Sequence, residues 1–315
     1  MKSLRIGTRG SPLALWQARA VGCAIEQAGG PPCEPVVIRT TGDRLATHTL
    51  AAIGGKRLFV REIEDALLSG AADLAVHSAK DLPAELPPGL VIAATLPRED
   101  PRDALVAAAR HAASPDAGAA ALMAARGPAP RVGTGSVRRI AQLSRAFPAA
   151  SFESIRGNVD TRLRKLDAGD YDVLVLAVAG LVRLGLAGRI SARLEAAECV
   201  PAPGQGIVAV EAREEDRETA AMLAAVGDRG AHAALTAERA LVRALEGDCG
   251  VPLGAIATAD AGSLTLEAVV ASLDGTELLR RREQGPAGAA AALGARVAGQ
   301  LLADGAGAIL DRHRR

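Results

Sequence analysis

Aromatic residues are nearly missing from this 315-residue chain, which has one Trp, one Tyr and three Phe: Trp16, Tyr171, Phe59, Phe147 and Phe152. Proteins that stack the bases of single-stranded nucleic acid need clustered aromatics, so that class is excluded. The core must instead be built from Leu, Val, Ile and Ala. An excess of one charge is missing as well. Lys and Arg number 37 against 36 Asp and Glu, a formal net charge of +1, which supplies no global field for nucleic acid or an anionic membrane. Long apolar runs are absent too: the stretch 173–182 is about as long as any, and a membrane span needs roughly 18 residues or more. The opening MKSLRIGTR returns to charge too soon for the apolar region of a secretory signal, so a cytoplasmic location is expected. The four cysteines (Cys23, Cys33, Cys199, Cys249) show no C-x-x-C spacing and the five histidines no metal-ligand spacing. Neither a zinc site nor a disulfide framework is expected, and each cysteine reads as a free thiol. Phosphate-loop, nucleophile-elbow and zinc-protease motifs are also absent. No long apolar stripe asks for a partner subunit, so a monomer is expected.

What remains is a length that suggests about two domains, or three small ones, and a strand–loop–helix unit that occurs twice. A strand at 4–7 leads through Ser11 and Pro12, an N-cap and first-turn proline, into a helix reaching about residue 28. The segment 131–136, RVGTGS, leads likewise into a helix over 137–147. Downstream of each, a helix (59–69 and 159–166), a glycine (Gly70 and Gly169) and a buried strand (73–76 and 172–175) repeat in order. Continuous apolar strands alternating with helices predict parallel sheets covered on both faces, hence two similar α/β lobes. The turn-rich segments 97–102 and 199–206 read as two crossings between lobes, which implies a hinge. From 214 the texture changes: a helix over 218–226, another over 232–246, strand-like runs at 253–259, 263–272 and 276–282, then Ala-rich helices, which suggests a small α+β domain. The expected division is 1–103 with 207–224, 104–206, and 225–315.

The candidate chemistry gathers at strand ends and helix starts. Backbone N–H groups and the Ser11, Thr134 or Ser136 hydroxyls at the two helix N-termini serve either as caps or as anion sites. Arginine in these loops (Arg9, Arg138, Arg139) favours the second reading, because a cation at a helix N-terminus wants an external carboxylate or phosphate to answer it. Arg156, Arg162 and Arg183 follow strands of the second lobe, and several guanidiniums converging on one cleft suit a ligand with many carboxylates. Arg164 and Lys165 read equally well as a solvated face. Lys80 and Asp81 follow the strand at 73–76; Asp81 is either a proton-handling carboxylate facing that cleft or simply a partner of Lys80. His77 reads as a packed histidine and Cys23 as a buried, inert thiol. Cys249, between glycines in EGDCGVP, is either inert or a thiol that serves as a nucleophile or an attachment point. The G-x-G-x-x-A match at 204–209 is set aside because it follows a Pro-rich turn and enters a strand, the reverse of the dinucleotide-binding order.

Taken together, TRGSPLALWQA (8–18), GGKRLFVREIE (54–64), DLAVHSAKDLP (73–83), VGTGSVRR (132–139), RGNVDTRL (156–163), PAPGQG (201–206) and GDCGVPLG (247–254) resemble the porphobilinogen deaminase (hydroxymethylbilane synthase) family along nearly the whole chain. The resemblance implies two periplasmic-binding-protein-like lobes of type II with hinge crossovers, and a small α+β C-terminal domain. It implies a dipyrromethane cofactor held covalently by Cys249 and porphobilinogen as substrate. Asp81 would be the essential acid/base; Arg9, Arg138, Arg139, Arg156, Arg162 and Arg183 would grip acetate and propionate groups, with Ser11, Lys80, Thr134 and Ser136 also lining the site. Ammonia would leave each porphobilinogen, the free α-carbon of the terminal pyrrole would attack, and four rounds would precede release of the linear tetrapyrrole. No metal is implied. The chain departs from the family pattern at Gly135, where a hydroxyl is usual. The loop 40–56 reads as a lid, with Lys56, Arg57 and Arg61 as further candidates. The competing reading is a non-enzymatic two-lobed carboxylate sensor, which needs neither Cys249 nor Asp81.

Overall fold

Two five-stranded sheets of matching topology organise the computed structural model of the chain, which describes residues 3–44, 60–109, 118–246 and 250–314. The first lobe runs β1 (Leu4–Thr8), α1 (Pro12–Gln27), β2 (Cys33–Val37), α2 (Thr41–Arg44), α3 (Arg61–Leu68), β3 (Leu74–Ser78) and β4 (Leu90–Thr95). The chain then crosses to the second lobe: β5 (Asp103–Ala107), α4 (Ala119–Ala124), β6 (Arg131–Gly133), α5 (Val137–Ala146), β7 (Ser151–Glu153), α6 (Val159–Ala168), β8 (Val173–Ala177), α7 (Val178–Arg183) and β9 (Ala192–Leu194). It returns as β10 (Val208–Arg213) and α8 (Arg217–Val226). The sheet orders are β2-β1-β3-β10-β4 and β7-β6-β8-β5-β9.

In each sheet the fourth strand is the one that has just crossed from the other lobe, and it runs antiparallel: β10 against β3 and β4, β5 against β8 and β9. The expectation of purely parallel sheets is corrected on this point, because a strand delivered by a crossing enters its sheet from the opposite end. This is the type II periplasmic-binding-protein arrangement. Both faces are covered as expected. Ile6, Val21, Ile25 and Leu74 form one core of the first lobe, and Ile63, Leu67 and Ala75 pack on its other face. Each fully buried Ile or Leu of this kind contributes about 1.5–3 kcal/mol relative to exposure.

The doubling extends to individual side chains. Arg5 binds Asp73 (Nη2–Oδ1 2.7 Å) and the Gly70 carbonyl (2.8 Å); Arg131 binds Asp172 (3.3 Å) and the Gly169 carbonyl (2.9 Å). In each lobe a strand (β1, β6) is thereby tied to the turn that precedes its parallel neighbour (β3, β8). Ser11 caps α1 by accepting from the Ala14 amide at 3.2 Å. Cys23 is exposed, contrary to expectation: α1 buries Gln17, Ala18, Val21, Gly22 and Ile25, and position 23 turns away from that stripe.

The remaining segment packs α9 (Arg229–Ala244), α10 (Ala290–Ala303) and α11 (Ala306–Arg314) on one face of a three-stranded antiparallel sheet, β11 (Leu253–Asp260), β12 (Ser263–Ala271) and β13 (Leu278–Pro286). Val269 and Ala271 on the sheet's other face meet Ala141 of α5 and Val200 of the second crossing. A buried carboxylate, Glu238 of α9, joins this unit to both crossings. It accepts from Arg98 Nη1 (2.6 Å), the Gly204 amide (2.5 Å) and the Ala257 amide (2.7 Å), while Arg98 Nε donates to the Gln205 carbonyl (2.9 Å).

Candidate active site

A cleft of about 1180 Å³ lies where the C-terminal ends of the two sheets face one another, bounded by the crossings and by α9. Its described lining includes Arg9, Arg39, Lys80, Arg138, Arg139, Arg156, Arg162, Arg183 and Arg239, against the carboxylates Asp81 and Asp160. A nearly neutral chain has therefore concentrated positive charge at one place. Burial makes this costly, and the cost is visible in the titration of the groups: desolvation, with Arg139 and Arg156 nearby, pulls Arg162 down to about 10, and desolvation is likewise the main cause that brings Lys80 to about 8. Anions entering the cleft would relieve both.

The loops that present these groups are set by backbone geometry. After β3 a single 3-10 turn, Ala79–Asp81, carries Lys80 and Asp81 into the cleft. The PAPGQG loop packs directly on that turn. Gly204 has φ +76°, and a Cβ there would lie 2.9 Å from Ala79 C and Lys80 N; Gly206 has φ +87°, and a Cβ there would overlap the Glu99 carbonyl. Glycines are needed at 204 and 206 for close approach of two loops.

Asp81 neither hydrogen-bonds nor ion-pairs with any described residue, so Lys80 is not its hydrogen-bonding partner: the Lys80 Nζ donates to Gln205 Oε1 at 3.2 Å. Ser136 caps the start of α5 without spending its hydroxyl there, and it lines the cleft together with Ser11, Arg9, Arg156, Arg162 and Arg183. Arg156 makes no hydrogen bond to a described residue. Arg162 spends its Nε on the Gly157 carbonyl (2.8 Å), and Arg183 donates to the Gly206 carbonyl (2.6 Å) with its guanidinium 5.5 Å from the Trp16 ring centre.

Three sequence-based expectations change. Arg138 and Arg139 line the cleft, but the carboxylate that answers them is internal. Asp103, fully buried at the start of β5, accepts from Arg138 Nη1 (2.7 Å) and from Arg139 Nε (3.1 Å) and Nη2 (2.6 Å). These arginines hold Asp103 well below the usual carboxylate range. Thr134 is buried and absent from the cleft lining; its hydroxyl accepts from the Ser136 amide at 3.3 Å, shaping the turn. Arg61 is exposed, pairs with Asp65 at 4.0 Å, and is also absent from the lining. Lys56, Arg57, most of the 40–56 loop and Cys249 lie outside the described residues. His77 is packed as expected, with Nε2 3.1 Å from Glu211.

Arg239, Gln205 and Gln17 line the cleft without having been singled out in the sequence. Leu235, Arg239 and Val242 share one face of α9, an i, i+4, i+7 pattern that is legible once α9 is known to border a cleft. Val251 and Leu253 line the same wall.

The fold and site define a two-lobed α/β protein whose interlobe cleft is lined mainly by cations, with Asp81 and Asp160 as the carboxylates among its described lining. Residues 4–221 match the family model described as "Porphobilinogen deaminase, dipyromethane cofactor binding domain" and residues 232–303 that described as "Porphobilinogen deaminase, C-terminal domain". Among curated relatives, the porphobilinogen deaminase of Bordetella parapertussis is 47% identical over 312 residues (98% of this chain, 96% of the relative), and that of Desulforudis audaxviator 49% over 311 (98% and 97%). The chain belongs to the porphobilinogen deaminase family. Solved structures with a similar course include the periplasmic VFT2 domain of Bordetella pertussis BvgS (18% identity, 71% of this chain and 86% of that one, TM-score 0.41). Another is the amino acid ABC transporter substrate-binding protein AbpA from Streptococcus pneumoniae bound to L-arginine (12%, 71% and 87%, TM-score 0.36).

Proposed function

We propose that the cleft carries out the reaction of its family: four porphobilinogen molecules are deaminated and joined head to tail on a covalent dipyrromethane, and hydroxymethylbilane and ammonia are released. The observation that carries this reading is the surplus of buried or half-buried cations around Asp81, a carboxylate that neither hydrogen-bonds nor ion-pairs with any described residue. The residues present fit the cofactor. Desolvated arginines offer N–H edges to its carboxylates, and the cleft wall formed by Leu235, Val242, Val251 and Leu253 is apolar, as a pyrrole ring requires.

Cys249 is the attachment thiol in this reading, with Val251 and Leu253 of its flanking segment beside the bound group. When bound, the dipyrromethane supplies the free α-position onto which each new ring is added. Arg156 and Arg162 hold substrate carboxylates by paired N–H groups, assisted by Arg9, Arg183 and the outer edges of Arg138 and Arg139. Ser11 and Ser136 donate their hydroxyls to the same carboxylates. Asp81 accepts pyrrole N–H groups, stabilises cationic charge as ammonia departs, and moves the proton lost when aromaticity returns. The Arg183–Trp16 contact spans the lobes from α7 to α1. The working units are 1–103 with 207–224, 104–206, and 225–315, acting as a cytoplasmic monomer.

A turnover assay with porphobilinogen tests the reading. Ammonia and linear tetrapyrrole appear in a four-to-one ratio if it holds. Tight binding of porphobilinogen without ammonia release would move the chain to the carboxylate-sensor class.

A further inference from the structure

Lys80 and Asp81 are adjacent in one 3-10 turn, carry opposite charges and both enter the cleft, yet the Lys80 ammonium is hydrogen-bonded elsewhere. Its acceptor, Gln205 Oε1, belongs to a side chain only 1% exposed. The Gln205 amide has one possible orientation. Its Nε2 donates to the Pro101 carbonyl at 2.7 Å and to Asp103 Oδ1 at 2.9 Å. Reversing the amide would set its oxygen against two acceptors and its NH2 against an ammonium. The same Asp103 oxygen accepts from Arg139 Nε and Nη2, so a continuous chain of contacts runs from Lys80 in the first lobe through the second crossing to α5 of the second lobe.

A neutral acceptor at this place has a specific effect. A carboxylate would close the ammonium into an ion pair, and an apolar side chain would leave it Asp81 as the nearest anion. We propose that Gln205 is a positioning residue of the reaction, holding the Lys80 ammonium off the Asp81 carboxylate so that Lys80 stays available to an incoming carboxylate and Asp81 to pyrrole protons. The inference rests on the deaminase reading for its consequence, though the geometry it invokes does not. The groups that face Lys80 are Asp81 on its own turn and Asp103 from β5, which favour the ammonium, and Arg138 and Arg139 from α5, which oppose it; burial opposes it most and leaves it at about 8.

The test is Gln205→Met in the holoenzyme, read first by competitive acetic-anhydride labelling of Lys80 across pH, quantified on its peptide by mass spectrometry. Released toward Asp81, the ammonium gains an ion pair, so its titration moves up from about 8 toward the ordinary 10.5. At the same time kcat falls by about tenfold or more as Asp81 is occupied, with a smaller change in KM. Gln205→Asn keeps an amide but is one methylene too short to reach Lys80, and it moves the titration in the same direction. A Lys80 titration that stays near 8 or falls in the variants overturns the proposal, whatever happens to melting temperature. Because the labelling needs no turnover, loss of the deaminase reading shows separately, as a parent protein that titrates as described but releases no ammonia.

Discussion

Glu238→Gln is the substitution whose cost follows most directly from the structure. The native carboxylate is fully buried and receives four hydrogen bonds: Arg98 Nη1 and the Ala257 amide on Oε1, Arg98 Nη2 and the Gly204 amide on Oε2. A glutamine must turn its NH2 toward one of these donor pairs, which places donor against donor and leaves Arg98 without its counter-charge. Breaking a buried, hydrogen-bonded ion pair from one side typically costs about 3–5 kcal/mol, a large share of the roughly 5–15 kcal/mol that holds a folded protein together. Because Arg98, Gly204 and Ala257 belong to the first crossing, the second crossing and β11, the loss falls on the junction of the two lobes with the C-terminal unit. Urea unfolding followed by circular dichroism should show the midpoint falling by a corresponding amount. Scanning calorimetry should resolve a separate, earlier transition of the C-terminal unit. A change below about 1 kcal/mol with a single unaltered transition would refute the assignment of Glu238 as the junction.

Further substitutions probe the cleft. Asp81→Asn should leave the fold and the cofactor intact while lowering kcat by about a hundredfold or more, measured by tetrapyrrole formation, since no other lining carboxylate shares the 79–81 turn. Gly206→Ala forces a Cβ into the Glu99 carbonyl at φ +87° and should lower the melting temperature markedly, whereas at Gly135 the nearest atom to a new Cβ is 3.4 Å away, so Gly135→Ser should melt within a few degrees of the parent. Asp103 is held far below its ordinary value of 3.8 by Arg138 and Arg139, so its stabilisation is complete above about pH 4 and drains only as acid protonates it. Acid unfolding of Asp103→Asn should accordingly start from lower stability at pH 7 and slope less below pH 4, as read by denaturation at a series of pH values.

Much of this was legible in the chain. The repeated order of strand, capped helix, glycine and buried strand located both lobes, and the internal repeat reaches down to Arg5–Asp73 and Arg131–Asp172. Turn-rich segments located both crossings. The antiparallel strand in each sheet was not legible, because periodicity reports burial and not direction. The role of Asp103 was hidden for a related reason. Arginines at the start of α5 implied a nearby anion, but sequence spacing cannot distinguish an internal carboxylate 35 positions away from an external one. Thr134 and Ser136 look alike in the sequence; only the turn decides that one hydroxyl is buried under a backbone amide and the other faces the cleft. Arg239 and Gln205 became readable only when α9 and the second crossing were seen to border the same cleft.

The central claim is that this cleft works with a dipyrromethane on Cys249, and the intact mass of the purified protein followed by peptide mapping tests it most directly. An added mass equal to a dipyrromethane is expected, confined to the peptide that contains Cys249 and lost in Cys249→Ser. A chain that stays unmodified and inactive after incubation with porphobilinogen would contradict it.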